Sequence, residues 1–487
     1  METTWLYGLL SLFVLALVFK FWSKGKTKLP PSPAPALPLL GQLHHLKLPL
    51  HLTYHNLSQK LGPIFSLRFG TRLVVVVSSP ALVEECFTKN DIVLANRPRF
   101  IIAKYIGYNY TSLVASPYGE YWRNLRRLTT VEIFSTARLN KFQSIRHDEV
   151  RLVLKKLYRN SYQDFARVEL RPRFAELTFN NIMRMVDGKR YFGEDEENEE
   201  AKQFRQLIDE IFKLSGVSNP ADFFPVFRWI DYKGFEKTLT RFGAKMDAFL
   251  QRLVDEHRRN KGGNTMIDHL LSLQESEPED YSGDAPCWNR DIIINHGMGN
   301  GCSAQPPQKL DKARAEIDSL VGDNRFVNES DLSKLPYLQN IISETFRLFP
   351  AAPLLVPHEA SADCKLDGYD IPQGTIVQVN AWAIHRDPTV WDDPTSFNPE
   401  RFEEAGDVGP TKLLPFGMGR RSCPGNGLAN RVVGLTLASL IQCFEWQRTD
   451  DALVDLTEGK GISRPKLPLE ARCKARNVLQ KAHTQPA

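Results

Sequence analysis

The 487-residue chain is 42% hydrophobic and 24% charged, which places it among folded globular proteins and excludes a disordered one. Its 62 basic and 57 acidic residues leave a formal charge of +5, too balanced to indicate a nucleic-acid partner. Seven cysteines, at 86, 287, 302, 364, 423, 443 and 473, are odd in number and lack the paired spacings of zinc sites or disulfide frameworks, so a reducing, cytosol-facing compartment is expected.

Residues 5–22 are almost wholly apolar, interrupted mainly by Gly8, Ser11 and Lys20, and as a helix they are long enough to cross a hydrocarbon core of about 30 Å. Glu2 precedes this stretch and Lys20, Lys24, Lys26 and Lys28 close it, which directs the remainder of the chain to the cytosol. A cleaved signal peptide would want a basic start and a small-residue cleavage site, and neither is present. Leu29-Pro30-Pro31-Ser32-Pro33-Ala34-Pro35 then reads as a stiff extended spacer, each proline fixing its own φ and restricting the residue before it. No further linker divides the interior, so one large α-rich enzyme domain is as compatible with the length as several smaller ones.

Strand-like alternation at 67–77 and a β-type run at 375–380 predict a small sheet, and most of the remainder reads as helix. Trp122-Arg123-Asn124-Leu125-Arg126-Arg127 puts Trp122 and Arg126 one helical turn apart on a common face. Its plain reading is a basic exposed helix. Glu344-Thr345-Phe346-Arg347 falls in a helical run at 338–348, so acid and base, three apart, can pair; the plain reading is a solvated surface pair worth about 0 to 1 kcal/mol. Pro353-Leu354-Leu355-Val356-Pro357-His358-Glu359 and Pro399-Glu400-Arg401-Phe402 come next along the chain.

The strongest signal is Pro415-Phe416-Gly417-Met418-Gly419-Arg420-Arg421-Ser422-Cys423-Pro424-Gly425, a loop feeding an amphipathic helix at 428–444. A Cys423 thiolate would draw positive potential from backbone N–H groups, from the start of that helix and from a metal ion. Gly419 and Gly425 would let the backbone approach a flat ligand closely, Phe416 would wall the sulfur, and Arg421 offers a cation. A lone cysteine in a glycine-rich turn is usually an inert buried thiol, but here the whole pattern Phe-x-x-Gly-x-Arg-x-Cys-x-Gly is met.

That pattern resembles the haem-ligand loop of cytochrome P-450 monooxygenases, and the resemblance extends from residue 30 to about 476. It implies a mainly α fold with a small β region, the cytochrome P-450 fold, behind an N-terminal transmembrane helix. It implies haem b, with Cys423 as proximal ligand to iron, a ligation that favours O–O cleavage of dioxygen. Trp122, Arg126, His358 and Arg421 would face haem propionates, while Glu344, Arg347 and Arg401 would form a buried structural triad beneath the loop. Electrons would come from NADPH through NADPH-cytochrome P-450 reductase, whose acidic surface would suit Arg123 and Arg127. The domain plan is then a membrane anchor with its basic flank at 1–28, a proline-rich hinge at 29–40 and a catalytic domain at 41–487, held by a single span in the endoplasmic reticulum membrane and facing the cytosol. The cysteine loop and the Pro-His-Glu segment look most like the isoflavone 2′-hydroxylase group. That group implies oxygen insertion into an apolar or phenolic plant metabolite of flavonoid, lignan or alkaloid type, with the substrate left open by the fold. A reductase-independent haem-thiolate isomerase or dehydratase, and a non-catalytic product of a damaged gene, stand as alternatives.

One stretch departs from the family. Where a long apolar helix with an Ala/Gly-Gly-x-Asp/Glu-Thr element is expected, residues 283–308 are rich in glycine, proline and asparagine, read as loop and leave no catalytic residue to assign. Reading the degenerate codons one base later forces glycine at the Trp288–Asn289 junction and tryptophan at the Met298–Gly299 junction. Permitted choices elsewhere give Val-Met-Leu-Leu-Ala-Gly-Thr-Glu-Thr, the missing signature, and the ordinary frame resumes at Gln308-Lys309-Leu310. The segment is therefore expected to be a frame-shifted translation, from a gene-model error or a damaged allele, with some residues before Gly283 lost. Cys287 and Cys302 would then have no function, and the chain as it stands is expected to hold haem poorly and couple badly.

Overall fold

The computed structural model describes residues 27–193, 198–215, 219–276, 307–404, 408–449 and 468–479. The apolar stretch at 5–22 and nearly all of the frame-shift candidate lie outside these residues. Among the described residues no helix is long and apolar enough to cross a membrane.

The run Arg72-Leu73-Val74-Val75-Val76-Val77 is dominated by β-branched side chains, which fit a pleated and buried surface. It forms β2 (Arg72–Val77), which pairs antiparallel with β1 (Ile64–Phe69) across a tight turn. Gly70 holds φ +57 in that turn, and a Cβ there would meet the Phe223 carbonyl oxygen at 2.4 Å, so glycine is required twice over. The later strands are β3 (Ala166–Glu169), β4 (His358–Glu359), β5 (Cys364–Leu366), β6 (Tyr369–Ile371), β7 (Ile376–Val379), β8 (Phe444–Gln447) and β9 (Glu470–Ala475). They make a four-stranded sheet in the order β1-β2-β7-β4, a three-stranded sheet in the order β3-β9-β8, and the β5–β6 hairpin. β7 joins β2 in parallel with Val74 opposite Ile376, so both predicted strand regions meet in one sheet.

Helices make up most of the rest. The longer ones are α1 (Leu50–Leu61), α2 (Pro80–Phe87), α3 (Glu120–Leu128), α4 (Gln143–Ser161), α5 (Leu170–Val186), α6 (Glu199–Ser215), α7 (Phe235–Arg259), α8 (Met266–Ser276), α9 (Pro307–Leu320), α10 (Pro336–Leu348) and α11 (Asn426–Cys443). Val153 and Leu157 of α4, Ile341 and Ile342 of α10 and Leu435 and Ile441 of α11 share one core. Trp122, Phe179, Phe204 and Phe249 anchor a second, built from α3 and α5 to α8.

α10 begins with Pro336, whose missing N–H costs nothing at a first helical turn. The Glu316 carboxylate of α9 accepts the next two amides, from Tyr337 at 2.8 Å and Leu338 at 3.1 Å. This cap, made by a neighbouring helix, fixes where Glu344 and Arg347 fall.

Candidate active site

Cys423 lies just before α11, after a 3-10 turn at Gly419–Arg421. Its amide donates to the Phe416 carbonyl oxygen at 2.8 Å, closing the loop on itself. The sulfur is accessible at the surface yet ringed by protein, and burial is the largest influence on it, raising its pKa. Amides of Gly425 and Asn426 donate to the sulfur and, with Arg126, oppose that rise. A metal ion at the sulfur would supply the remaining charge and favour the thiolate. Among the described residues no three His, Cys, Asp or Glu side chains converge as metal ligands, so a metal held by Cys423 must bring most of its own. Porphyrin iron does so, and a single thiolate is a donor set that fits it.

Cations gather around the loop. Arg126 donates to the Ser422 carbonyl at 2.6 Å. Arg421 donates to the carbonyls of Ala95 at 2.6 Å, Leu113 at 3.0 Å and Ser116 at 2.5 Å, and lies over the Trp122 ring at 4.2 Å. A third guanidinium, Arg97, is buried and donates to the Val356 and Pro357 carbonyls at 2.8 and 2.7 Å, while its Nε has no partner. Burial first, then Arg421, pulls Arg97 down to about 9; burial, then Arg126, pulls Arg421 down to about 9. Arginine stays protonated, so these shifts express first the cost of burying the guanidiniums and second the repulsion between neighbours. None of the three forms an ion pair with a carboxylate of the described residues. A group carrying two carboxylates, as haem does, is the complement this cluster lacks.

His358 lies in the same neighbourhood, with Nδ1–H donating to the Leu94 carbonyl at 2.7 Å. Burial, with Arg97 and Arg421 nearby, lowers its pKa well below the ordinary value. The ring is therefore held neutral, with Nδ1 as donor and Nε2 as acceptor. The Trp122 indole N–H donates to the Leu113 carbonyl at 3.0 Å, and its ring face lies against Arg421. At Gly419, φ is +71, and the close neighbours a Cβ would meet are Asp91 Oδ1 at 2.5 Å and Phe87 Cβ at 3.1 Å. The glycine is needed for packing against α2, whatever lies on the far side of the loop.

Glu344, Arg347 and Arg401 come together. Both Glu344 and Arg347 are 0% exposed. Arg347 makes a fork on Glu344 at 2.6 and 2.8 Å, and Arg401 Nε reaches the same carboxylate at 3.2 Å. Arg347 also donates to the carbonyls of His385, Pro394 and Ser396. Phe416 packs edge-on against Phe346 of α10 at 5.3 Å, which seats the cysteine loop on the triad's helix. Sequence reasoning missed Arg97. The signal available was a lone arginine in Asn96-Arg97-Pro98, directly after the apolar run Ile92-Val93-Leu94-Ala95.

Comparison with known proteins agrees with this geometry. The cytochrome P450 family model matches residues 30–288 and 303–472, and the chain belongs to the cytochrome P450 family, a monooxygenase class whose cofactor is haem b. Cytochrome P450 81Q32 of Catharanthus roseus is 56% identical over 502 residues, covering 99% of this chain and 98% of that protein. A (+)-piperitol/(+)-sesamin synthase of Sesamum radiatum is 52% identical, covering 100% and 99%. An isoflavone 2′-hydroxylase of Glycyrrhiza echinata is 48% identical, covering 98% of each, so the resemblance to that group holds along the full length. Among solved structures, a zebra fish cytochrome P450 with abiraterone superimposes with a TM-score of 0.72 at 26% identity, covering 88% of this chain and 99% of that one.

Proposed function

We propose that this chain is built to insert one oxygen atom from dioxygen into a small apolar or phenolic plant specialised metabolite, with Cys423 as the proximal ligand of its haem. The observation that carries the ligand assignment is the sulfur's setting, with two backbone amides on it and a cluster of uncompensated guanidiniums beside it. Haem, when bound, supplies the binding and reductive activation of dioxygen. The chain's own residues do the rest. Gly425 and Asn426 N–H groups would stabilise negative charge on sulfur, Arg97, Arg126 and Arg421 with His358 alongside would hold the propionates, and the Glu344–Arg347–Arg401 triad would support the loop from beneath. The relatives' names span isoflavone hydroxylation and sesamin formation, which supports a specialised metabolite as substrate without choosing a scaffold.

Electrons are assigned to NADPH-cytochrome P-450 reductase, for which exposed Arg123 and Arg127 on α3 offer a basic contact. Placement on the endoplasmic reticulum membrane is supported by two exposed apolar patches, Leu37, Leu39 and Leu40 in one and Val226, Trp229 and Ile230 in the other. Gly41 bridges to Phe69 and Thr71 N–H donates to the Phe223 carbonyl, so both patches flank the β1–β2 turn, immediately after the predicted anchor in one case. The reduced carbon monoxide difference spectrum tests the ligand assignment, with Cys423→Ser expected to abolish the thiolate-ligated band.

A second reading, that the chain as it stands is a non-catalytic product of a frame-shifted gene, is favoured by two observations. The family match stops at 288 and resumes at 303, inside the suspect segment. The alignment with the Catharanthus relative also runs over 502 residues, longer than this 487-residue chain, as expected if residues have been lost. Restoring the frame is expected to restore NADPH-dependent turnover; equal activity in both versions would remove this reading.

A further inference from the structure

α10 ends at Leu348, and the last carbonyls of a helix have no partners within it. Two consecutive side chains from the segment after β7 supply them. His385 Nδ1 lies 3.0 Å from the Arg347 carbonyl, and Arg386 donates to the Leu348 carbonyl. Arg347 answers by donating its own guanidinium to the His385 carbonyl at 2.5 Å. On the other side of the ring, the Leu414 amide donates to His385 Nε2 at 2.9 Å.

These partners fix the tautomer without reference to hydrogen positions. A carbonyl only accepts, so Nδ1 carries the proton; a backbone amide only donates, so Nε2 carries the lone pair. The ring is 0% exposed, and burial, then Arg386, depresses its pKa to about 3, which keeps it in this one form. Leu414 is itself 0% exposed and begins the haem-ligand loop. Its carbonyl accepts the Gly417 amide at 3.2 Å, and two residues on Phe416 accepts the amide of Cys423. Donation therefore runs in one direction, from the Leu414 amide of the backbone that leads to the cysteine, through the imidazole, to the Arg347 carbonyl.

We propose that His385 is a positioning residue for the ligand loop: it ties the C-terminal carbonyl of the Glu344–Arg347 helix to the Leu414 amide and so sets where Phe416 and Cys423 stand. The function assigned to this link rests on the haem-thiolate reading, while the link itself is tested without haem. No other side-chain type offers a rigid donor and a rigid acceptor on opposite edges of one ring. Leucine of similar bulk leaves both the Arg347 carbonyl and the Leu414 amide buried without partners, whereas glutamine keeps an oxygen for the amide.

The experiment compares the full chain with His385→Leu and His385→Gln by hydrogen exchange resolved over 410–425 and over β1–β2. In His385→Leu the Leu414 and Cys423 amides are expected to exchange about ten-fold faster or more, with β1–β2 unchanged, and His385→Gln to bring Leu414 back to within about three-fold of the parent. Unchanged exchange at Leu414 in His385→Leu overturns the proposal. So does a rise spread evenly over β1–β2 as well, because that is general destabilisation. The reduced carbon monoxide spectrum of the same preparations answers separately for Cys423 as ligand, so failure of that reading cannot be mistaken for failure of this one.

Discussion

Buried arginine is used in two opposite ways on either side of the cysteine loop. At Arg347 the protein supplies everything the charge needs: a forked carboxylate from Glu344, three carbonyls and a second arginine sharing the same acid. At Arg97, Arg126 and Arg421 it supplies carbonyls, the Ser422 hydroxyl and the Trp122 ring face but, among the described residues, no acid. A compensated buried charge is part of the scaffold, because breaking it strands its partner. An uncompensated one carries a standing cost that an anion from outside the chain would offset, which is how the proposed haem site would use it.

The contrast is broken most severely at the triad. Glu344→Gln leaves Arg347 and Arg401 without their acid, and a loss of about 3 to 5 kcal/mol in unfolding free energy is expected from urea titration, with haem retention falling alongside. Arg97→Met acts on the other side. It removes one of the crowded cations but also the donor of the Val356 and Pro357 carbonyls, so the haem-free chain is expected to lose about 1 to 3 kcal/mol, less than Glu344→Gln, while haem is lost roughly ten-fold faster in transfer to apomyoglobin. If Arg97→Met destabilised the haem-free chain as much as Glu344→Gln does, the distinction between scaffold and site would fail.

His257 gives an intermediate case, compensated but titratable. Asp187 at 3.0 Å and Asp268 at 2.7 Å flank its ring, and the hydrogen bond to Asp187, ahead of the bond to Asp268, raises its pKa to about 9 against the opposing effect of burial. A group raised in the folded state contributes its stability fully below the unfolded value of about 6.5 and loses it as pH climbs through 9. His257→Gln is expected to flatten the fall in unfolding free energy over that window, by about 1 to 2 kcal/mol after allowing for solvent screening, read from urea titrations across the pH range. The smallest effect is expected at the surface. Arg127→Ala should weaken coupling to the reductase by about 0.2 to 1 kcal/mol at low salt, and the difference should vanish in high salt.

The sequence carried the site's chain-local parts well. The cysteine loop, the acid and base three apart at Glu344 and Arg347, and the β-branched runs of the four-stranded sheet are patterns written within a dozen residues, where spacing determines geometry. What it hid depends on elements far apart. Arg97 becomes a site residue only because Val356 and Pro357, some 260 positions on, turn their carbonyls toward it. The Leu113 carbonyl that accepts the Trp122 N–H is set by the fold, and the requirement for glycine at 419 by its φ of +71 and by Asp91 and Phe87. The predicted anchor and the frame-shift candidate lie outside the described residues; they rest on hydropathy and codon arithmetic, joined for the second by the break in the family match.

Cys423 as the thiolate ligand of haem iron is the assignment on which the rest depends. It is tested most directly by the reduced carbon monoxide difference spectrum of the chain as it stands, of a frame-restored version, and of Cys423→Ser in each. The thiolate-ligated band is expected in the frame-restored chain, a weaker one in the chain as it stands, and none in either serine variant. The same band surviving Cys423→Ser, or a haem-loaded frame-restored chain without it, would contradict the assignment.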